Sequence, residues 1–193
     1  TSSYFGISLT AGDFNAGGRV DLAIGAHRYS SYTGRVYIFY NDGSIPTTAA
    51  TADVTITGEA TSYFGWHIAS GDFNADGKTD LVIGAYTYSS NAGRAYIFYN
   101  DGSIPTTAAT ADVTITGEAS SNFGAYLASG DFNADGKTDL AVGAYGYSTS
   151  TGRAYLFYND GSIPTTAATA DVIITGEAAS GVCGFALGIG DFN

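Results

Sequence analysis

Methionine is absent from this chain of 193 residues, so the sequence does not carry its own initiator. It reads as a processed product, a fragment or part of a longer chain. One cysteine, Cys183, excludes an internal disulfide. Its repeat-equivalent positions hold Phe5, Phe64 and Phe123, so it is expected in a buried apolar place, where a free thiol behaves as a small hydrophobe. Lysine and arginine together number 7 against 18 acids, which excludes a phosphate-reading nucleic-acid surface. No apolar run approaches the roughly 18–20 residues of a membrane helix, and the start has neither the basic region nor the apolar core of a signal peptide. The two histidines, His27 and His67, occupy non-equivalent repeat positions and make neither a metal cluster nor a catalytic one. The single tryptophan, Trp66, is expected in the core at the start of a strand.

What is abundant points elsewhere. Hydrophobic residues make up 45% of the chain, and 27 glycines accompany 15 tyrosines and 11 phenylalanines. That mixture suits short strands joined by tight turns in a globular protein. The segment GDFNADGKTDL occurs at 71–81 and again at 130–140, a degenerate copy lies at 12–22, and a fourth begins at 190. Asp13, Asp72 and Asp131 are 59 residues apart, and Asp191 follows after 60. A period of that size is the mark of a solenoid, propeller or array.

Four β-like segments fill each period. In the second they are near 64–72, 79–86, 93–99 and 112–117, rich in Val, Ile, Tyr, Phe and Thr. AYIFY is apolar on both faces, as in a sheet covered on both sides. The sequence therefore predicts an all-β chain of β-propeller blades, each of four antiparallel strands. The units are 1–58, 59–117 and 118–176, with 177–193 starting a fourth. Because antiparallel strands alternate direction, the acidic loop and the loop NDGSIPTTAATA fall at one end of each blade. The second-to-third and blade-to-blade connections fall at the other, and these vary between copies. SIPTTAATA is expected to be a solvated connection.

The acidic loop has the composition of a cation site. Nine of the 18 acids fall in its copies, counting Asp191. In the second unit Asp72, Asn74, Asp76 and Asp80 supply side-chain oxygens and Lys78 a main-chain carbonyl. The third unit offers Asp131, Asn133, Asp135, Asp139 and the carbonyl of Lys137. Hard oxygen donors in this number suit Ca²⁺ better than Mg²⁺, which keeps more water. A helix would set like charges four apart. An EF-hand would need Glu where Ile83 stands. A bare Asn/Asp/Gly turn would crowd three carboxylates without compensation. The first unit keeps Asp13, Asn15, Arg19 (main chain) and Asp21, but Gly17 replaces one carboxylate, so weak or absent binding is expected there. The fourth copy carries Asp191 and Asn193.

Phe-Gly at 5–6, 64–65 and 123–124, the acidic loop, and Gly-Ala at 25–26, 84–85 and 143–144 together resemble the FG-GAP repeat. That repeat is similar to the blades of integrin α-subunit propellers and of many secreted bacterial proteins. The sequence departs from the family pattern in having His27, Tyr86 and Tyr145 where Pro is usual, and Asn at loop position 3 where Asp is usual. The resemblance implies an extracellular or cell-surface, calcium-stabilised propeller for adhesion or recognition of a protein or glycan. It implies no catalysis. Two alternatives stand beside it. Near-identical blades could assemble into a surface layer or fibre. The chain could also be part of a polysaccharide-active enzyme, since some polysaccharide lyases carry such propellers.

The end opposite the acidic loops carries Tyr29, Tyr32, Tyr63, Tyr88 and Tyr147, either a ligand face or covers for the blade ends. Gly-Arg recurs at 34–35, 93–94 and 152–153. These arginines bind an anionic ligand or, the preferred expectation, pair with Asp53, Asp112 and Asp171. Three units plus one first strand fall short of the 4–8 blades that usually close a propeller, so self-association or a longer parent chain is expected.

Overall fold

A computed structural model of the chain describes residues 3–190. The expected Asp191 and Asn193 positions lie outside them. Three four-stranded antiparallel sheets follow one another, each in simple sequential strand order. The first holds β1 (Leu9–Gly12), β2 (Asp21–Ala26), β3 (Arg35–Phe39) and β4 (Val54–Thr57). The second holds β5 (Ile68–Gly71), β6 (Asp80–Ala85), β7 (Arg94–Phe98) and β8 (Val113–Thr116). The third holds β9 (Tyr126–Gly130), β10 (Asp139–Ala144), β11 (Arg153–Phe157) and β12 (Val172–Thr175). First strands lie beside first strands, β1 by β5 and β5 by β9, as in propeller blades.

The core lies between blades, and this explains why the strands lack polar alternation. Leu81 and Ile83 of β6 pack towards the first blade with Val36, Ile38 and Ile56. Val82, between them, packs towards the third blade with Leu140, Val142 and Tyr155. Period-2 geometry sends successive side chains to opposite faces, and both faces are covered. The second and third blades also bury the phenylalanine of each Phe-Gly pair: Phe64 rests edge-on against Tyr96 and Phe98, and Phe123 against Tyr155 and Phe157.

The Phe-Gly and Gly-Ala pairs have a shared steric cause. Gly84, the penultimate residue of β6, faces the backbone of Gly124, and a Cβ there would sit 2.0 Å from the Gly124 carbonyl oxygen. Gly25 and Gly143 meet Gly65 and Gly184 in the same way. The two glycines of the motif are thus opposite sides of one backbone contact between blades.

Two expectations change. SIPTTAATA is not merely solvated: Ile104, Ala108, Ile163 and Ala167 are buried in the grooves between blades. Thr107 pairs in parallel with Thr57 of the preceding edge strand, and Thr166 with Thr116. The segment covers a sheet edge, which satisfies backbone groups that would otherwise be open. Cys183 is half-buried rather than buried; it is a free thiol whose backbone pairs with Gly152.

Candidate metal loops and the opposite face

Between β1 and β2, between β5 and β6 and between β9 and β10, the acidic loop folds around its own amides. In the second blade the Asp76 amide donates to Asp72 Oδ1 and to Asn74 Oδ1, both at 3.0 Å. The Gly77 amide donates to Asp72 Oδ2 at 2.8 Å, and the Lys78 amide to Asp76 Oδ1 at 2.9 Å. Gly77, with φ of +83°, takes the left-handed turn that lets the loop double back. The third blade repeats every bond: Asp135 to Asp131 and Asn133, Gly136 to Asp131, Lys137 to Asp135. In the first blade Gly17 and Gly18 donate to Asp13 and Asn15, but no carboxylate stands at position 17.

The last acid of each loop does different work. Asp80 is fully buried; its Oδ2 accepts from the Phe73 amide and its Oδ1 from the Asn100 amide, both at 2.8 Å. It thereby ties the acidic loop to the β7–β8 connection. Asp21 and Asp139 do the same with Asn41 and Asn159. Burial pushes the Asp80 carboxyl up to about 6 against those two hydrogen bonds, and the charges of Asp76 and Asp72 add to the rise. The Lys78 amide, first of all, holds Asp76 below the usual carboxylate range.

The structure thus brings Asp72, Asn74 and Asp76 together around shared amides and sets Asp80 behind them as an anchor. Among the described residues no three acidic, histidine or cysteine side chains converge as a ready-made metal cluster. The donor chemistry nevertheless fits a hard divalent cation. The donors are all oxygen, each ionised carboxylate oxygen has a further lone pair, and Asp80 senses its acidic neighbours as repulsive.

At the other end of the blades, the Tyr63 amide donates to the Tyr32 carbonyl, bringing the blade-to-blade connection onto the β2–β3 turn. The five tyrosines separate into two groups there. Tyr29, Tyr88 and Tyr147 lie over the guanidinium groups of Arg35, Arg94 and Arg153 at 3.8, 3.7 and 3.6 Å. Tyr32 and Tyr63 stack with ring centres 4.7 Å apart and join His27, Trp66 and Tyr86 in one aromatic group. Trp66 is half-buried there, in a bend before β5 rather than in the core.

The arginines do not pair with Asp53, Asp112 and Asp171. Those acids accept the amides of Tyr40, Tyr99 and Tyr158. Arg94 instead meets Glu59 at 3.2 Å, and Arg153 meets Glu118 at 2.8 Å. The same glutamates accept from the hydroxyls of Tyr96 and Tyr155. Each latch ties the blade-to-blade connection to the blade that follows it. The signal was present in the sequence: the only glutamates are Glu59, Glu118 and Glu177, one per period.

The FG-GAP repeat matches residues 5–39, 64–98 and 123–157. The chain belongs to the FG-GAP repeat family. Integrin alpha-PS2 of Drosophila melanogaster is 33% identical over 169 residues, 81% of this chain and 12% of that protein. Integrin alpha-7 of Homo sapiens is 32% identical over 184 residues, 92% of this chain and 15% of that protein. Phosphatidylinositol-glycan-specific phospholipase D of Rattus norvegicus is 43% identical over 108 residues, 49% of this chain and 13% of that protein. This FG-GAP chain is therefore integrin alpha-like in sequence and spans at most 15% of these relatives. Among the described residues no helix is long and apolar enough to cross a membrane.

His27 gives the aromatic group a pH dependence. Burial first, then the Arg28 charge, lowers its pKa to about 4. The unfolded imidazole titrates near 6.5. Between these values the unfolded chain binds the extra proton, so this histidine's contribution falls as pH drops from about 6.5 towards 4. His27→Phe should remove about 2 kcal/mol of acid destabilisation by a pH of about 4.5. Urea unfolding of both proteins at neutral and acid pH measures the difference. An equal acid loss in the two proteins would contradict the assignment.

Proposed function

We propose that this FG-GAP chain is a calcium-stabilised, extracellular recognition module that meets a protein or glycan ligand with the end opposite its acidic loops. The observation that carries the reading is the division of labour between the ends. One end repeats the same oxygen-rich loop and its anchors, and the other presents aromatic rings that differ from blade to blade. Tyr32 is exposed and stacked on Tyr63 beside Trp66 and Tyr86, a surface with large apolar area and polar tips. Likeness to integrin alpha chains over most of the sequence supports a cell-surface setting and a protein partner.

Asp72, Asn74, Asp76, the Lys78 carbonyl and Asp80 would hold calcium in the second blade, with Asp131, Asn133, Asp135, the Lys137 carbonyl and Asp139 in the third. Bound calcium would neutralise the loop and cross-link it. Asp80 and Asp139 would contribute through the lone pairs their amide partners leave free. Asp13, Asn15, the Arg19 carbonyl and Asp21 would make a weak or empty first site, for want of a carboxylate at Gly17. The chain itself carries out no catalysis in this reading, because its repeated carboxylates would be taken up by the cation loops. Tyr29, Tyr88 and Tyr147 belong to the latches and contribute to the ligand face only by their outer edges.

The test is binding of the purified chain to panels of cell-surface proteins and glycans, alongside Tyr32→Ser and Tyr63→Ser. The expected result is lost binding with a melting temperature within about 2 °C of the parent. Retained binding in both variants, or a lowered melting temperature with binding intact, would contradict the ligand face.

A further inference from the structure

Each acidic loop rests on the loop of the next blade. A Cβ on Gly71, the residue before Asp72, would sit 2.5 Å from Cγ2 of Thr138, the residue before Asp139. Gly12, before Asp13, meets Thr79, before Asp80, in the same way at 2.4 Å. The strands that lead into the loops are tied as well. Ser70 Oγ donates to the Ala11 carbonyl at 3.0 Å, and Ser129 Oγ to the Ser70 carbonyl at 2.7 Å. The entry to one loop is thus held against the exit of the following one.

A buried asparagine completes the connection. Asn100 is 2% exposed, and its main-chain amide donates to Asp80, the anchor of its own blade's loop. Its Nδ2 donates to the carbonyl of Asp13, which opens the loop of the preceding blade, at 3.4 Å. Asn159 stands at the same position one period on. Its amide donates to Asp139 at 2.8 Å. The acceptor that the 59-residue period assigns to its Nδ2 is the Asp72 carbonyl. Asn159 is 4% exposed, yet that nitrogen has no hydrogen-bond partner among the described residues. A buried donor left open is costly and calls for an acceptor. The open donor belongs with the complete second loop, and the satisfied one with the first loop, which Gly17 leaves incomplete.

We propose that Asn159 is a positioning residue shared by the second and third loops: its amide fixes Asp139, its side chain is the donor reserved for the Asp72 carbonyl of the filled second loop, and through it the two loops fill cooperatively. The inference rests on the calcium reading of these loops and adds their coupling to it. Filling either loop has to order the same asparagine. Whichever fills first has already done so, and the other then binds more tightly. The gain is the same in both directions, because coupling between two sites is reciprocal. Each loop carries three aspartates against one lysine, so a divalent ion leaves it close to neutral and repulsion between the two ions is small.

Calcium titration and thermal melts of the full chain test this with Asn159→Ala, which keeps the main-chain amide to Asp139 and removes the side chain. Asp135→Asn stands beside it; it keeps an acceptor for the Lys137 amide but takes a charge from the third loop. The parent should bind its two ions with a Hill coefficient above 1. The second loop should bind at least about fivefold more weakly in Asp135→Asn than in the parent. Asn159→Ala should still take up two ions, now independently, and adding Asp135→Asn to it should leave the affinity of the second loop unchanged. In chelator, Asn159→Ala should melt within about 2 °C of the parent, because the donor it removes is unpartnered there. A loss in chelator as large as the loss with calcium would overturn the positioning role. Coupling that survives Asn159→Ala would overturn the assignment to this residue. Two independent ions in the parent, or a second step weaker than the first, would overturn the coupling and leave the calcium reading standing. A parent that binds no calcium would overturn both.

Discussion

Gly84→Ala should cost about 3 kcal/mol or more, because overpacking of this kind has no soft neighbour to move. The added Cβ meets a backbone carbonyl oxygen at 2.0 Å, that of Gly124 in the buried turn before β9, while Gly84 itself is held within β6. The substitution leaves backbone conformation and hydrogen bonding untouched, so the cost reports the distance between blades alone. Gly188→Ala is the matched comparison: a Cβ there meets nothing within 4 Å, and the change should stay within about 0.5 kcal/mol. Urea unfolding of the three proteins measures both. Equal stability of Gly84→Ala and the parent would mean that the blades do not approach as closely as the structure has them.

Removing a latch should have the next largest effect. Glu118→Ala leaves the Arg153 guanidinium without its acid and the hydroxyl of Tyr155, a fully buried residue, without its acceptor. An abandoned buried polar group costs about 1–3 kcal/mol, and the guanidinium keeps partial access to water, so a loss of about 2–3 kcal/mol is expected. A cycle with Tyr155→Phe separates the hydroxyl from the charge. If the two groups act through one bond, the paired substitution should cost less than the sum of the single ones by about 1 kcal/mol. Strict additivity would remove Glu118 from the latch.

The repeat, the four strands and the two-sided burial were legible because they are local and periodic. A period of 59 residues with apolar runs on both strand faces leaves few architectures. The latch was not legible in that way. Arginine and glutamate are neighbours only because the connection entering a blade folds back onto its third strand, at a separation of 35 residues, and Asp112 lies nearer to Arg94 in the sequence. The covering segment was misjudged for a similar reason. Threonine and alanine read as solvated, but Ile104 and Ala108 fill a groove that exists only between two sheets. In the acidic loop, spacing grouped Asp80 with the other acids as one donor set, whereas Asp80 stands behind them, buried and bound to two backbone amides. The Asn100 amide comes from a different connection, 20 residues on.

Calcium binding by the two complete loops is the claim on which the functional account turns, and titration calorimetry tests it most directly. The second and third loops keep all their oxygen donors, whereas Gly17 deprives the first of one. With dissociation constants of about 10⁻⁴ to 10⁻³ M, the range of extracellular modules, the parent should take up two calcium ions per chain. Gly17→Asp, which restores the carboxylate that Asp76 and Asp135 supply, should raise the count to three. A parent that releases no heat and binds no calcium at millimolar concentration would contradict the account. Three equal sites in the parent would contradict the ligand assignment.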